Sequence, residues 1–151
     1  LLRLNRFLLD STQDNRYVTL FYGELDPRSG RLRYVTGGHV PPYLLRGKGE
    51  LVRLEAGGPV VGLLEDARFE EGEVALVPGD TLALVTDGAT EALSPDDQEL
   101  ADAGVCAALR TVAGGSAQAQ LDALLDAVHA WTGPAGCSDD LTALILKAEE
   151  K

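Results

Sequence analysis

The sequence predicts an α+β fold in one domain covering residues 1–151. Three observations carry that reading. Residues 16–85 hold a succession of β-branched and aromatic runs separated by Gly, Pro and Asp turn signals. Residues 94–132 then change to a helical period, and one almost wholly apolar run, "LTALILK", closes the chain. Strands first, a helix pair next and a last strand is the pattern of antiparallel hairpins with helices covering a sheet face.

The first element is "LLRLNRFLLD", where Leu1, Leu4, Phe7 and Leu8 recur on one side at helical spacing. The run reads as the middle of a helix and no Met precedes it, so the chain is expected to be a fragment of a longer protein. Polar residues 10–15 end this helix. "RYVTLFYGELD" follows, apolar on both faces over residues 17–22, which predicts a central strand. "DPRSG" supplies Pro and Gly for a hairpin turn into the return strand "RLRYVT". "GGHVPP" is a loop, because two prolines do not fit a paired strand interior. "YLLRGKGELVRL" is a second hairpin turning at residues 47–49, and "GGPVVGLL" is irregular. "FEEGEVAL" and "TLALV", joined by Pro78, Gly79 and Asp80, add two strands.

Ser94, Pro95, Asp96 and Asp97 have the composition of a helix start, with a capping hydroxyl, an early proline and acids at the positive dipole end. Val105, Ala108, Leu109 and Val112 form that helix's apolar face, and Gly114 and Gly115 stop it. Ser116 opens a second helix with Leu121, Leu124, Leu125 and Val128 on its apolar face. No repeat, low-complexity segment or linker interrupts the chain.

Composition narrows the function. Lys and Arg number 13 against 24 Asp and Glu, a formal charge of −11. Such a field repels phosphate backbones and anionic membranes, which argues against nucleic-acid binding. No apolar run reaches the length of a membrane span and no signal peptide is evident, so membrane insertion is not expected and the location expected is cytoplasmic. Cys106 and Cys137 make neither a metal pattern nor a disulfide framework. Cys106 reads as a small core residue, and Cys137 stands in acidic surroundings that do not activate a thiol.

The chemistry-bearing residues are acidic. "LALVTDGATEA" runs an apolar strand into Asp87 and Gly88 and then into a short helix-favouring run. Asp87 either caps this strand-to-helix turn or holds a cation. "SDDLTALIL" mirrors the arrangement, with Asp139 and Asp140 just before an apolar strand, where acids also serve as solubilising gatekeepers. If the two strands are antiparallel neighbours, Asp87 and Asp139 meet at one sheet end. Paired carboxylates repel unless one is protonated or a cation lies between them, and oxygen-only donors suit Mg²⁺ or Mn²⁺. His39 is a loop anchor or a proton donor. His129 reads as a surface residue and Trp131 as a cap on the core. "GGPVVG" lacks the Lys-Ser/Thr ending of a phosphate loop.

"TGGHVPPYLLR", "LVPGDTLALVTDGATEA" and "SDDLTALILK" occur in that order along nearly the whole chain. Together they resemble the metal-dependent protein phosphatases of type 2C, in the bacterial SpoIIE/RsbU-like branch. The resemblance implies a layered α-β-β-α sandwich of mostly antiparallel sheets flanked by helices, truncated here at its N-terminal side. It implies hydrolysis of phosphoserine or phosphothreonine with two Mn²⁺ or Mg²⁺ ions, on phosphorylated anti-sigma-factor antagonists. It makes Asp87 and Asp139 metal ligands, with Asp140, Gly88 and His39 in support and Glu91 and Thr142 holding the turn and the strand start. The chain departs from the family at residues 36–39, where Thr-Gly-Gly-His replaces Asn-Ala-Gly-His. It also lacks the Gly-Asp and Asp-x-x-Gly motifs that complete members carry ahead of the first helix. The expectation is therefore weak metal binding and little turnover by these 151 residues, and a homodimer through exposed sheet edges. The alternative is a non-catalytic binding or regulatory module on the same fold.

Overall fold

A computed structural model describes residues 1–11 and 16–149. The elements follow in the order α1 (Leu2–Ser11), β1 (Leu20–Leu25), β2 (Arg31–Gly37), β3 (Tyr43–Leu45), β4 (Leu51–Arg53), β5 (Gly57–Gly58), β6 (Gly72–Ala75), β7 (Thr81–Val85), α2 (Asp87–Thr90), α3 (Ala101–Thr111), α4 (Ala117–Thr132), a 3₁₀ turn (Gly133–Ala135) and β8 (Ala143–Lys147). Their contacts divide into two units, Leu1–Pro41 with Leu54–Leu76, and Pro42–Arg53 with Val77–Lys151.

In the first unit, β2 is the central strand. It pairs antiparallel with β1, Leu25 opposite Leu32, and with β6, Leu32 opposite Val74; β5 runs parallel to its far end. The "DPRSG" turn forms as expected. The Asp26 carboxylate accepts from Arg28 N at 2.9 Å and Ser29 Oγ at 2.7 Å, and Gly30 takes φ +71°. Leu32, Tyr34, Val35, Val61 and Leu76 make the core, and Phe21 stacks on Tyr34 with centroids 6.0 Å apart.

Four readings of this unit change. β1 is an edge strand among the described residues, because only β2 pairs with it; its apolar content marked a face, not a position in the sheet. α1 buries Asn5, while Leu2, Leu4 and Phe7 are exposed. Asn5 Nδ2 donates to Leu64 O at 2.9 Å and its Oδ1 accepts from Gly62 N at 2.7 Å, so a polar clamp anchors the helix. "GGPVVGLL" is not wholly irregular: Gly57 and Gly58 form β5, where a Cβ on Gly57 would sit 2.2 Å from Thr36 O. The "GGHVPP" loop begins only at His39, since Gly37 ends β2 and Gly38 bridges to Leu20. The end of α1 at residues 10–15 falls partly outside the described residues.

In the second unit the strands lie in the order β4-β3-β7-β8, all antiparallel. The turn at residues 47–49 closes on Arg46 N donating to Glu50 O at 2.7 Å. Asp80, 1% exposed, ties that turn to β7: it pairs with Arg46 at 2.6 Å and accepts from Val77 N and Gly47 N. α3 packs on β3 and on α4, and α4 packs on β8. Val105, Ala108 and Leu109 of α3 meet the core as the period predicted, as do Leu124 and Val128 of α4. Ser116 caps α4 by accepting from Ala119 N at 3.1 Å.

The "SPDDQ" run is a turn, not a helix start. Ser94 Oγ accepts from Asp96 N and Gln98 N, Leu93 and Glu99 bridge antiparallel, and α3 starts only at Ala101. The serine does cap backbone N–H groups, but those of a tight turn, which uses the same chemistry. Trp131 lies against this turn, its Nε1 donating to Gln98 O at 2.9 Å, and is 38% exposed, so it does not close the core. β6 and β7 belong to different sheets, and the link through Pro78 and Gly79 is a crossing and not a hairpin. No helix among the described residues is long and apolar enough to cross a membrane.

Candidate metal centre

β7 and β8 are antiparallel neighbours, with Val85 opposite Ala143 at the last pair. Thr86 then leaves the strand in extended conformation and α2 begins at Asp87, so "TDG" is a strand-to-helix turn. Thr86 holds the two strand ends together. Its N donates to Thr142 O at 3.0 Å, and its hydroxyl donates to Asp140 O and accepts from Thr142 N, both at 2.9 Å.

Gly88 makes the second contact between the motifs. A Cβ there would lie 2.6 Å from Asp140 O and 2.9 Å from its carbonyl carbon. Only a residue without a side chain lets the first turn of α2 approach the Asp140 backbone this closely. The two acidic motifs thus meet at one end of the sheet through backbone atoms.

The carboxylates are held alike. Asp87 Oδ1 accepts from the following Gly88 N at 3.1 Å, and Asp139 Oδ1 from the following Asp140 N at 2.7 Å. Each leaves its second oxygen without a hydrogen bond among the described residues, and Asp87, Asp139 and Asp140 are exposed. No Lys or Arg of the described residues pairs with them. Asp140 takes part through its carbonyl, which receives the Thr86 hydroxyl. Glu91 braces the turn through its backbone N, donating to Asp87 O at 2.7 Å, and Thr142 likewise acts through its main chain. Thr86 is the positioning residue that sequence reasoning missed; a Thr before Asp-Gly was its only signal.

His39 belongs to the first unit, half-buried at the bend after β2. Thr36 is buried in β2 with its N donating to Ala56 O, so it serves the strand. His129 is exposed, as expected. Cys106 is half-buried, and burial pushes its thiol up. No group of three or more His, Cys, Asp or Glu able to hold a metal ion occurs among the described residues. The donors at the Asp87–Asp139 end are nonetheless of the right chemistry for a hard cation: unpaired carboxylate oxygens with no competing guanidinium or ammonium.

This arrangement of strands and helices is that of the PP2C phosphatase domains. The SiaA PP2C domain of Pseudomonas aeruginosa matches with a TM-score of 0.84 at 19% identity, covering 96% of this chain and 58% of that one. The PP2C domain of SpoIIE from Bacillus subtilis, solved with a fragment of its regulatory domain, matches with a TM-score of 0.80 at 23% identity, covering 95% and 42%. The chain belongs to the stage II sporulation protein E (SpoIIE) family, whose model matches residues 1–149. Among curated relatives, Protein IcfG of Synechocystis sp. is 38% identical over 79 residues, 52% of this chain and 12% of that protein. The phosphoserine phosphatase RsbU of Bacillus subtilis is 28% identical over 111 residues, 68% of this chain and 33% of that protein. The chain therefore spans a third or less of the length of the curated relatives it matches.

Proposed function

We propose that this chain forms part of a metal-dependent serine/threonine protein phosphatase domain that hydrolyses phosphoserine or phosphothreonine in a bacterial signalling pathway. Its substrate class is a phosphorylated anti-sigma-factor antagonist, and its place is the cytoplasm. The observation that carries the reading is the meeting of two unpaired acidic motifs, Asp87-Gly88 and Asp139-Asp140, at one sheet end. Membership of the SpoIIE family and likeness to the phosphoserine phosphatases RsbU and RsbP support it.

Asp87 and Asp139 are the residues that would hold a divalent ion, Mn²⁺ or Mg²⁺, one of two in the complete domain. A SpoIIE phosphatase domain presoaked with Mn and an RsbX in complex with magnesium are among the similar structures. Such ions supply a water of lowered pKa and polarise phosphoryl oxygens. The protein's part is orientation. Gly88 N and Asp140 N each fix one carboxylate oxygen, while Thr86 and Gly88 fix the distance between the two loops. Asp140 is a supporting residue in this reading, and residues 1–151 act as one domain. The edge of β1 is the surface through which two copies pair.

Mn²⁺-dependent phosphate release from a phosphoserine peptide tests the proposal, run on this chain, on a version extended upstream and on Asp139→Asn. Release that disappears in Asp139→Asn supports a phosphatase, with the shorter chain the slower of the two. Silence in both lengths favours the non-catalytic module.

A further inference from the structure

We propose that a cleft beside the acidic motifs receives an apolar side chain flanking the phosphoresidue of the protein substrate; this deepens the phosphatase reading and rests on it. The cleft has a volume of about 490 Å³, within the roughly 300–1,000 Å³ of ligand sites. One wall is the turn after α2, with Leu93, Pro95 and Asp97. The other is the α4–β8 connection, with Pro134, Ala135 and Ser138.

Both walls are preformed. The turn is closed by Ser94 N donating to Gln98 O at 2.8 Å and by Asp97 N donating to Ser94 O at 2.9 Å. Trp131 Nε1 fastens it to α4 through Gln98 O. The connection carries Pro134 between Gly133 and Gly136, both at positive φ. A site that needs no ordering on binding keeps more of its contact energy.

Position and charge select the occupant. Ser138 immediately precedes Asp139, and Leu93 follows α2 by three residues, so each wall is joined along the chain to one of the two acidic motifs. Leu93 lines the cleft and is 39% exposed. No Lys or Arg lines the space, and its one charged residue is Asp97. The phosphate itself is therefore excluded, an acidic side chain is repelled, and an uncharged apolar one is accepted. A substrate segment crossing from the carboxylates into the cleft would place a residue next to the phosphoserine against Leu93 and the two prolines.

The test uses two fluorescein-labelled phosphoserine peptides that differ only in leucine or aspartate at the residues flanking the phosphoserine. Affinities for the full chain are read by fluorescence anisotropy in Mn²⁺, with a non-hydrolysable phosphonate in place of the phosphate in both peptides, so binding is scored apart from turnover. The leucine peptide is expected to bind about tenfold more tightly, and Ala135→Lys, which sets a cation in the cleft, is expected to reduce that preference to within about twofold. Leu93→Ser, on the opposite wall, should lower it too, with far-UV circular dichroism confirming that both variants fold. Equal affinities, no binding by either peptide, or a preference that survives both substitutions would overturn the proposal. Phosphate release is a separate readout: its absence beside a retained leucine preference would count against the phosphatase reading alone.

Discussion

Thr86 and Thr142 exchange two hydrogen bonds across the ends of β7 and β8. Thr86 N donates to Thr142 O at 3.0 Å, and Thr142 N donates to the Thr86 hydroxyl at 2.9 Å. The same hydroxyl donates to Asp140 O, so one side chain joins the strand that ends in Asp87 to the loop that carries Asp139. Thr86→Val keeps the shape and removes both hydroxyl bonds. Water reaches this site, so the expected loss is modest, about 1 kcal/mol, read as a lower urea midpoint. Thr86→Ser should recover most of it.

Gly88→Ala sets two effects against each other. Alanine favours a helix over glycine by about 1 kcal/mol, yet its Cβ would lie 2.6 Å from Asp140 O, a backbone atom with little room to yield. Overpacking of this kind costs about 1–3 kcal/mol and should win. A fall in Tm is predicted. A rise would show that the two loops are not held in contact.

The Tyr43, Arg53 and Asp102 group predicts the pH dependence of stability. The Tyr43 hydroxyl donates to Asp102, and Arg53 lies 3.9 Å over the Tyr43 ring while pairing with Asp102 at 2.5 Å. Burial, then the bond to Asp102, pushes the Tyr43 phenol well above its ordinary value. Its contribution is therefore complete below about pH 10 and is lost as pH rises beyond that. Burial pushes Asp102 up, but hydrogen bonds from Arg53 and Tyr43 outweigh it and hold the carboxyl below the usual range. That contribution is present above about pH 4 and is lost as pH falls through the folded-state value. Urea midpoints across pH should decline less steeply above pH 10 in Tyr43→Phe than in the unsubstituted chain. The deficit of Asp102→Asn should shrink in acid.

Self-association through β1 is a prediction of the proposed reading. Only β2 pairs with this strand among the described residues, and Tyr22 at 56% and Phe7 at 63% exposure leave apolar surface open in the same unit. Unprotected edges of this kind recruit other chains. Light scattering should show a mass that rises with concentration, and Tyr22→Lys should lower it. A monomer mass throughout the series would contradict this.

Local chemistry made much of this legible in the sequence. "DPRSG" and "GKG" announced their hairpins because Pro and Gly supply the backbone angles those turns need. "TDG" before a helix-favouring run announced a strand-to-helix turn, and two apolar strands flanking acidic motifs suggested an antiparallel pair. What remained hidden depends on partners. A period of apolar residues does not say whether its face is covered, so α1 gave no hint that Asn5, and not Phe7, is the buried residue. Ser94 with two acids fits a helix cap and a tight turn equally, and the Gln98–Trp131 bond sits on the turn. Nor does local sequence tell that β6 and β7 belong to different sheets, because that choice is made by strands distant along the chain.

In the proposed phosphatase domain Asp87 and Asp139 share a divalent cation. Mn²⁺ titration followed by electron paramagnetic resonance, on the unsubstituted chain, Asp87→Asn, Asp139→Asn and the double variant, tests it most directly. Each single substitution should weaken binding by at least about tenfold, since even outer-shell partners of a metal contribute that much. The double variant should be little worse than either single one, because one shared ion is already lost. Unchanged affinity in both single variants, or losses that simply add, would contradict a shared site.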